Sequence, residues 1–354
     1  MNINLHTPVG GTGYGIAGLN LIKSLNEFGH SISCHLIGRG FTCNNQDEVE
    51  LIQKCIGNAQ NYDYNAPSIK IWHQFALAEH IGKGLNIGFP IFELDTFTEQ
   101  EKHHILSTDR LYVCSKWAKR IVKKETEHKD VCVIPLGVDN SIFYPSSNPK
   151  TDNTYRFFNC GKIEIRKGHD ILIDIFNKAF TKDDDVELWM MFYNPFFTKE
   201  ENQEWIDYYK NSPMGDKIKI IPPVKIHNEV ANIMRQVDCG ILPSKGEGFG
   251  LENLELLACG KPIITTNYSG HTEYCTPENS YLIEIDELEP AYDGKWFNKQ
   301  GNWAKIDQKQ IDQAVEYMRF CYKNRPANPE GLKTAEKFTW TNSAQKIIDN
   351  LTNI

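Results

Sequence analysis

Strand-like apolar runs and amphipathic helical runs alternate along almost the whole chain. This alternation constrains the fold most, because strands joined through helices pair in parallel and need helices on both faces of the sheet. Residues 3–8 read as a strand, 15–28 as a helix, and 31–37, 69–73 and 85–92 as further strands. Strands over 110–114 and 131–135 follow, separated by a helix over 116–127. The order breaks at residues 144–153, a stretch rich in Pro, Ser and Asn that reads as a linker. It then restarts with strand 155–160, helix 169–179, strands 186–192 and 217–221, helix 229–236, strand 238–242, a helix to 259 and strand 262–266. Residues 332–351 read as a helical tail. At 354 residues the chain exceeds one ordinary core. The expected fold class is α/β, with two doubly wound Rossmann-like domains facing across a cleft and ligands bound beyond the carboxyl ends of the strands.

Composition narrows the function. A 40% hydrophobic and 24% charged chain is that of a soluble globular protein, and no apolar run approaches the ~18 residues that span a bilayer. The segment from Met1 to Pro8 lacks a basic region followed by an apolar core, so no signal peptide is expected. The 10 cysteines are scattered without a C-x-x-C pair, which favours free thiols in a reducing cytoplasm. A formal net charge of −8 argues against general nucleic-acid binding.

Three glycine-rich loops carry the chemistry. The first, Gly10-Gly-Thr-Gly-Tyr-Gly-Ile-Ala-Gly18, joins the first strand to the first helix and contains a G-x-G-x-x-G pattern from Gly13. A dinucleotide site is one reading. No acidic residue follows the second strand to hold a ribose, although Arg39 would suit a 2′-phosphate. The second loop, Gly161-Lys-Ile-Glu-Ile-Arg-Lys-Gly168, places Lys162, Arg166 and Lys167 just before a helix. Cations there oppose the helix dipole, and a bound anion accounts for placing them. The third, Pro243-Ser-Lys-Gly-Glu-Gly-Phe-Gly-Leu-Glu-Asn-Leu-Glu255, ends a buried strand and opens a helix near Leu251. Its N–H groups make an anion site, bracketed by the carboxylates Glu247 and Glu255. Backbone that attracts phosphate beside carboxylates that hold hydroxyls suits a sugar nucleotide.

The third loop resembles the donor-binding motif P-S-x-x-E-G-F-G-L-x-x-L-E of retaining glycosyltransferases of the GT-B fold, family 4 type (glycosyl transferases group 1), without a gap from Pro243 to Glu255. The second is similar to that family's G-R-L-x-x-x-K-G element, with Gly161, Lys167 and Gly168 aligned and Lys162 in place of Arg. Arg166 stands ready to compensate. The stretch Lys261–Glu273 continues the pattern, with His271 where a second glycine is common. The resemblance implies domains over 1–148 and 153–335, with a carboxyl-terminal helix at about 340–354 packing back on the first. It also implies metal-independent transfer from a nucleotide diphosphate sugar, UDP- or GDP-linked, to a glycan, lipid-linked or other hydroxyl acceptor. No cofactor is expected. By the same resemblance Lys162, Arg166, Lys167 and the main chain after Gly13 meet the diphosphate, with N–H groups of Phe249, Gly250 and Leu251 nearby. Glu255 would hold the ribose, Glu247 the transferred sugar, and residues 222–224 would lie near the base.

On the acceptor side the strand 85–92 leads into Glu93, where relatives carry a His, and His73 ends the strand 69–73. Either is a candidate for catalysis. Gly137, Val138 and Asp139 match an I-P-x-G-V-D element and read as a structural hinge. Lys116, Lys119, Arg120, Lys123 and Lys124 make one basic helix face, either a solvated surface or a peripheral contact with an anionic inner membrane surface. Asp183-Asp-Asp185 has a D-x-D pattern but precedes a strand, so it reads as a polar loop, and no metal site is expected. The competing functions are an NADP-dependent oxidoreductase using the first loop and a non-catalytic GT-B-like binding protein.

Overall fold

The computed structural model describes residues 1–147, 150–224 and 226–352. Asn148 and Pro149 of the expected linker, and residues 353–354 of the expected last helix, lie outside the described residues. The chain divides into two compact units, Met1–Asp139 with Lys337–Ile354, and Asn140–Glu336.

The first unit runs β1 (Asn2–Thr7), α1 (Gly13–Glu27), β2 (Ser31–Leu36), α2 (Gln46–Asn58), β3 (Ser68–Lys70), β4 (Asn86–Gly88), α3 (Glu99–Leu106), β5 (Arg110–Val113), α4 (Lys116–Glu125) and β6 (Val131–Val133). The six strands form one parallel sheet, ordered β2-β1-β3-β4-β5-β6. Its core strands are buried on both faces, as helices on each side require: Ile3, Leu5, Ile69, Ile87, Leu111 and Val113 are each at most 1% exposed.

Several strands are shorter than the sequence suggests, and two of them precede site candidates. β4 stops at Gly88 because Pro90 has no N–H to continue the ladder, and the last bond runs from Phe89 N–H to the Lys70 carbonyl at 2.8 Å. β3 stops at Lys70, and after Ile71 the chain turns into a short 3-10 turn over Gln74–Ala76. Glu93 and His73 therefore lie in loops past their strands, not at the strand ends. In α4 the Ser115 hydroxyl caps the Ala118 N–H at 3.0 Å, Trp117, Ile121 and Val122 face inward, and Lys116, Arg120, Lys123 and Lys124 are exposed.

The second unit runs β7 (Tyr155–Gly161), α5 (His169–Ala179), β8 (Val186–Phe192), α6 (Lys199–Lys210), β9 (Ile218–Ile220), α7 (His227–Gln236), β10 (Cys239–Leu242), α8 (Leu251–Ala258), β11 (Ile263–Thr266), β12 (Tyr281–Ile283), β13 (Leu288–Tyr292), β14 (Asn298–Ala304), α9 (Gln308–Asn324) and α10 (Pro329–Lys337). Its parallel sheet is ordered β12-β11-β10-β7-β8-β9, and β13 and β14 form a separate antiparallel hairpin. Phe157, Phe176, Leu188, Met190, Ile241 and Ile264 fill the core.

The tail is two helices, with a break at residues 338–339 where a single one was expected. The second, α11 (Trp340–Thr352), packs on α1 in the first unit. The Ser343 hydroxyl donates to the Pro135 carbonyl at 2.6 Å, and a Cβ on Gly137 would come within 2.1 Å of the Thr339 carbonyl carbon. Gly137 thus leaves no room for a side chain beside the returning chain. Among the described residues no helix is long and apolar enough to cross a membrane.

Candidate functional site

In the second unit β7 and β10 are neighbours, so the loops that leave their carboxyl ends start side by side. The two loops are tied together. Lys245 N–H donates to the Arg166 carbonyl at 2.6 Å, and Arg166 Nη1 donates to the Gly246 carbonyl at 2.6 Å. Gly168, at φ +73°, leaves no room for a side chain: a Cβ would lie 2.2 Å from the Pro243 carbonyl oxygen. Gly250, at φ +77°, begins α8 without a side-chain cap, so Phe249, Gly250 and Leu251 present main chain at this point.

The charges of the site interlock. Lys167 Nζ contacts Glu252 Oε1 at 2.7 Å and Glu247 Oε1 at 3.1 Å. Arg166 contacts Glu164 at 2.7 Å and Glu247 at 3.2 Å, and Lys162 contacts Glu164 at 2.6 Å. The Ser244 hydroxyl donates to Glu247 Oε1 at 2.8 Å, and Ser269 Oγ accepts from the Glu247 N–H at 2.8 Å. Burial opposes the charge on Lys167, but Glu247 and Glu252 outweigh it and hold its pKa above the ordinary lysine value. Burial likewise opposes ionisation of Glu247, yet Lys167, Arg166 and the Ser244 hydroxyl hold its carboxyl well below the usual range. Glu255 behaves oppositely. Burial and then the nearby Glu252 charge push its pKa well up, with Lys167 only partly offsetting them.

The structure thus brings Lys162, Arg166, Lys167, Glu247 and Glu255 to one end of one sheet, with the 249–251 main chain. It also changes how Arg166 is read. Its side chain is 5% exposed and committed to Glu164, Gly246 and Glu247, so it braces the two loops instead of standing as an open cation. Sequence reasoning missed Glu164 and Glu252. The signal for Glu252 was its place in the first turn of α8, one turn from the basic loop's target. His271, at the variant glycine position, is buried; its Nε2 donates to the Thr266 carbonyl at 2.6 Å and lies 3.3 Å from the Thr265 hydroxyl, and burial pushes its pKa down. Residues 222–224 follow β9 at the edge of the sheet. Asp184 of the D-x-D pattern accepts from Thr181 and pairs with Arg319 at 3.1 Å, in the loop before β8.

A cavity of about 460 Å³, lined by Lys150, Arg235, Asp238 and Lys261, lies at the other ends of these strands. There Lys150 pairs with Asp238, and Lys261 donates to the Arg235 carbonyl. The strand-end rule places ligands at the carboxyl ends, away from this cavity.

In the first unit Gly13 opens α1 just beyond β1. The next residue, Tyr14, donates to the Ile91 carbonyl at 2.7 Å and accepts from the Ile91 N–H at 3.1 Å. Its ring lies 4.7 Å from the His73 ring. Burial, and then the Glu93 charge, raise the Tyr14 pKa, so Glu93 is close by. Residues after β1, β3 and β4 therefore converge, and the two acceptor-side candidates share one neighbourhood around Tyr14.

Residues 141–290 match the profile of the family described as glycosyl transferases group 1. The matched residues all lie within the second unit. The chain is 28% identical over 177 residues to a D-inositol 3-phosphate glycosyltransferase of Paenarthrobacter aurescens, covering 46% of this chain and 43% of that one. It spans about half the length of the curated relatives it matches. Among solved structures it resembles sucrose-phosphate synthase of Thermosynechococcus elongatus, with a TM-score of 0.74, 14% identity and coverage of 100% of this chain and 98% of that one. It also resembles Anabaena HepE in complex with UDP and glucose, with a TM-score of 0.71, 14% identity and full coverage of both chains. The fold is GT-B, built of two Rossmann-like domains.

Proposed function

We propose that the chain is a retaining, family 4 type glycosyltransferase that moves a sugar from a UDP- or GDP-linked donor to a hydroxyl acceptor without a metal ion. One observation carries the reading: a buried ammonium, Lys167, is fixed beside the uncapped start of α8, paired with the motif glutamate Glu247 and with Glu252. Lys162, Lys167 and the N–H groups of 249–251 suit the donor diphosphate, and their charge takes the place of a metal ion as the leaving group forms. Glu255, whose carboxyl pKa burial pushes well up, suits the ribose hydroxyls. Glu247 suits the hydroxyls of the sugar being moved, and residues 222–224 suit the base.

In this reaction the bond from the anomeric carbon to the phosphate oxygen breaks while the acceptor oxygen bonds to the same face. The departing phosphate oxygen takes the acceptor proton, so no side-chain base is obligatory. The acceptor belongs to the first unit, where His73, Glu93 and Tyr14 gather. It is a glycan, lipid-linked or other hydroxyl compound, and the exposed basic face of α4 suits peripheral contact with an anionic membrane.

The test incubates the purified chain with UDP- and GDP-sugars and follows release of the nucleoside diphosphate and the anomeric configuration of the product. Stabilisation against heat by UDP or GDP is expected. Stabilisation by NADPH alone, with no diphosphate released, would overturn the reading.

A further inference from the structure

Glu252 occupies a position that the donor motif leaves open, and it puts a carboxylate where the surrounding groups attract phosphate. Its Oε1 lies 2.7 Å from Lys167 Nζ, closer than Glu247 at 3.1 Å. The two carboxylates are held very differently. Glu247 is also bonded to the Ser244 hydroxyl and Arg166, and its side chain is 9% exposed. Glu252 is 24% exposed, and Lys167 is its only hydrogen-bond or ion-pair partner among the described residues. Its backbone belongs to the first turn of α8, where the helix end favours negative charge. A Cβ placed on Gly161 would come within 3.2 Å of both Glu252 Oε1 and the Lys167 side chain. The carboxylate therefore lies inside the site, against the end of β7. From within the protein it takes up the ammonium that a phosphate oxygen would use, and it does so from the first turn of a helix whose start favours negative charge.

We propose that Glu252 is a resident counter-ion of the donor site, holding Lys167 while the site is empty and giving it up to the donor's diphosphate. The proposal rests on the donor reading above. Removing Glu252 ends a competition, so its loss should tighten binding, the reverse of what removing a ligand-binding residue does. The gain should follow the diphosphate and not the nucleoside, because uridine reaches neither Lys167 nor the helix start.

Glu252→Gln keeps the size of the side chain and removes its charge. Wild type and variant are titrated calorimetrically with UDP, GDP, inorganic pyrophosphate and uridine. The variant is expected to bind pyrophosphate and the preferred nucleotide about tenfold tighter or more, with uridine unchanged. Unchanged or weaker diphosphate affinity, or a gain shared by uridine, overturns the proposal but leaves the donor reading standing if wild type binds UDP or GDP. Binding of neither nucleotide by either protein overturns both. Glu252→Asp draws the carboxylate back by one methylene, should shift affinity the same way, and decides the matter if the Gln variant does not fold.

Discussion

Replacing Lys167 by Met keeps an unbranched side chain and removes one buried charge. In the native site three cations, Lys162, Arg166 and Lys167, face three ion-paired carboxylates, Glu164, Glu247 and Glu252. Met leaves two cations against the same three carboxylates. Glu247 keeps Arg166 and Ser244, while Glu252 is left without its partner. Breaking a buried pair from one side costs about 3 to 5 kcal/mol. Glu252 is partly open to water, which places the expectation near the low end, at about 3 kcal/mol. Loss of a charge-assisted bond to phosphate costs about 1.5 to 3 kcal/mol, or roughly ten- to hundredfold in UDP or GDP affinity. Urea unfolding and calorimetric titration read the two effects separately. Adding Glu252→Gln to Lys167→Met removes the orphaned carboxylate and should restore about 1 to 2 kcal/mol. A Lys167→Met protein within about 0.5 kcal/mol of wild type, or a double variant no more stable than the single one, would show that these charges are solvated and would refute the reasoning.

Two further outcomes separate the parts of the site. Glu255→Ala should weaken UDP or GDP by about tenfold or more while leaving pyrophosphate affinity unchanged, and an equal loss for pyrophosphate would remove Glu255 from the ribose. His169, fully buried at the start of α5 between Asn159 and Glu164, is pushed by burial down to about 4. The unfolded chain binds this proton near pH 6.5 and the folded one does not, so the contribution is whole above pH 6.5 and is lost as pH falls toward 4. Between pH 7 and 4.5 that amounts to about 2.5 kcal/mol, and urea unfolding of His169→Asn at the two values should show a slope shallower by this amount.

The elements that the sequence declared most plainly are those with an unbroken apolar period. The helix over 169–179 and the strand over 186–192 coincide with α5 and β8 to the residue. Elements with polar surfaces were missed, although three of them carried a local signature. Thr98 with Glu101, Thr198 with Glu201, and Asp307 with Gln310 are capping boxes that open α3, α6 and α9. The hairpin β13–β14 had no such signal. It is held by contacts distant in sequence, the Ala304 N–H to the Lys245 carbonyl at 2.7 Å and Lys245 to Glu289 at 2.9 Å. The strand lengths erred where one residue decides them, as Pro90 does for β4. In the site, the motif glutamates and the three cations were legible as residue types. Their pairing was not, because it depends on how closely Gly168 lets the basic loop approach Pro243.

That approach also settles what each cation can do. Arg166 has the planar fork suited to gripping phosphate, yet its donors are spent on Glu164, Gly246 and Glu247. It fixes the distance between the two loops, so the Arg-to-Lys departure at Lys162 is not made good by the guanidinium beside Lys167. On the donor reading, the charge that faces the diphosphate is left to two ammoniums, each countered by carboxylate within the protein. Lys162 is paired with Glu164 and is 43% exposed, while Lys167 is paired with Glu247 and Glu252 and is 9% exposed. An ammonium is a point charge with rotatable donors, and it can exchange a carboxylate for a phosphate oxygen without the reorientation a planar fork would need. A site of this kind holds its ammoniums in place before the donor arrives. What it gives up in intrinsic affinity, through competition from Glu252, it gains in a backbone and a set of charges that need little rearrangement when the phosphate leaves.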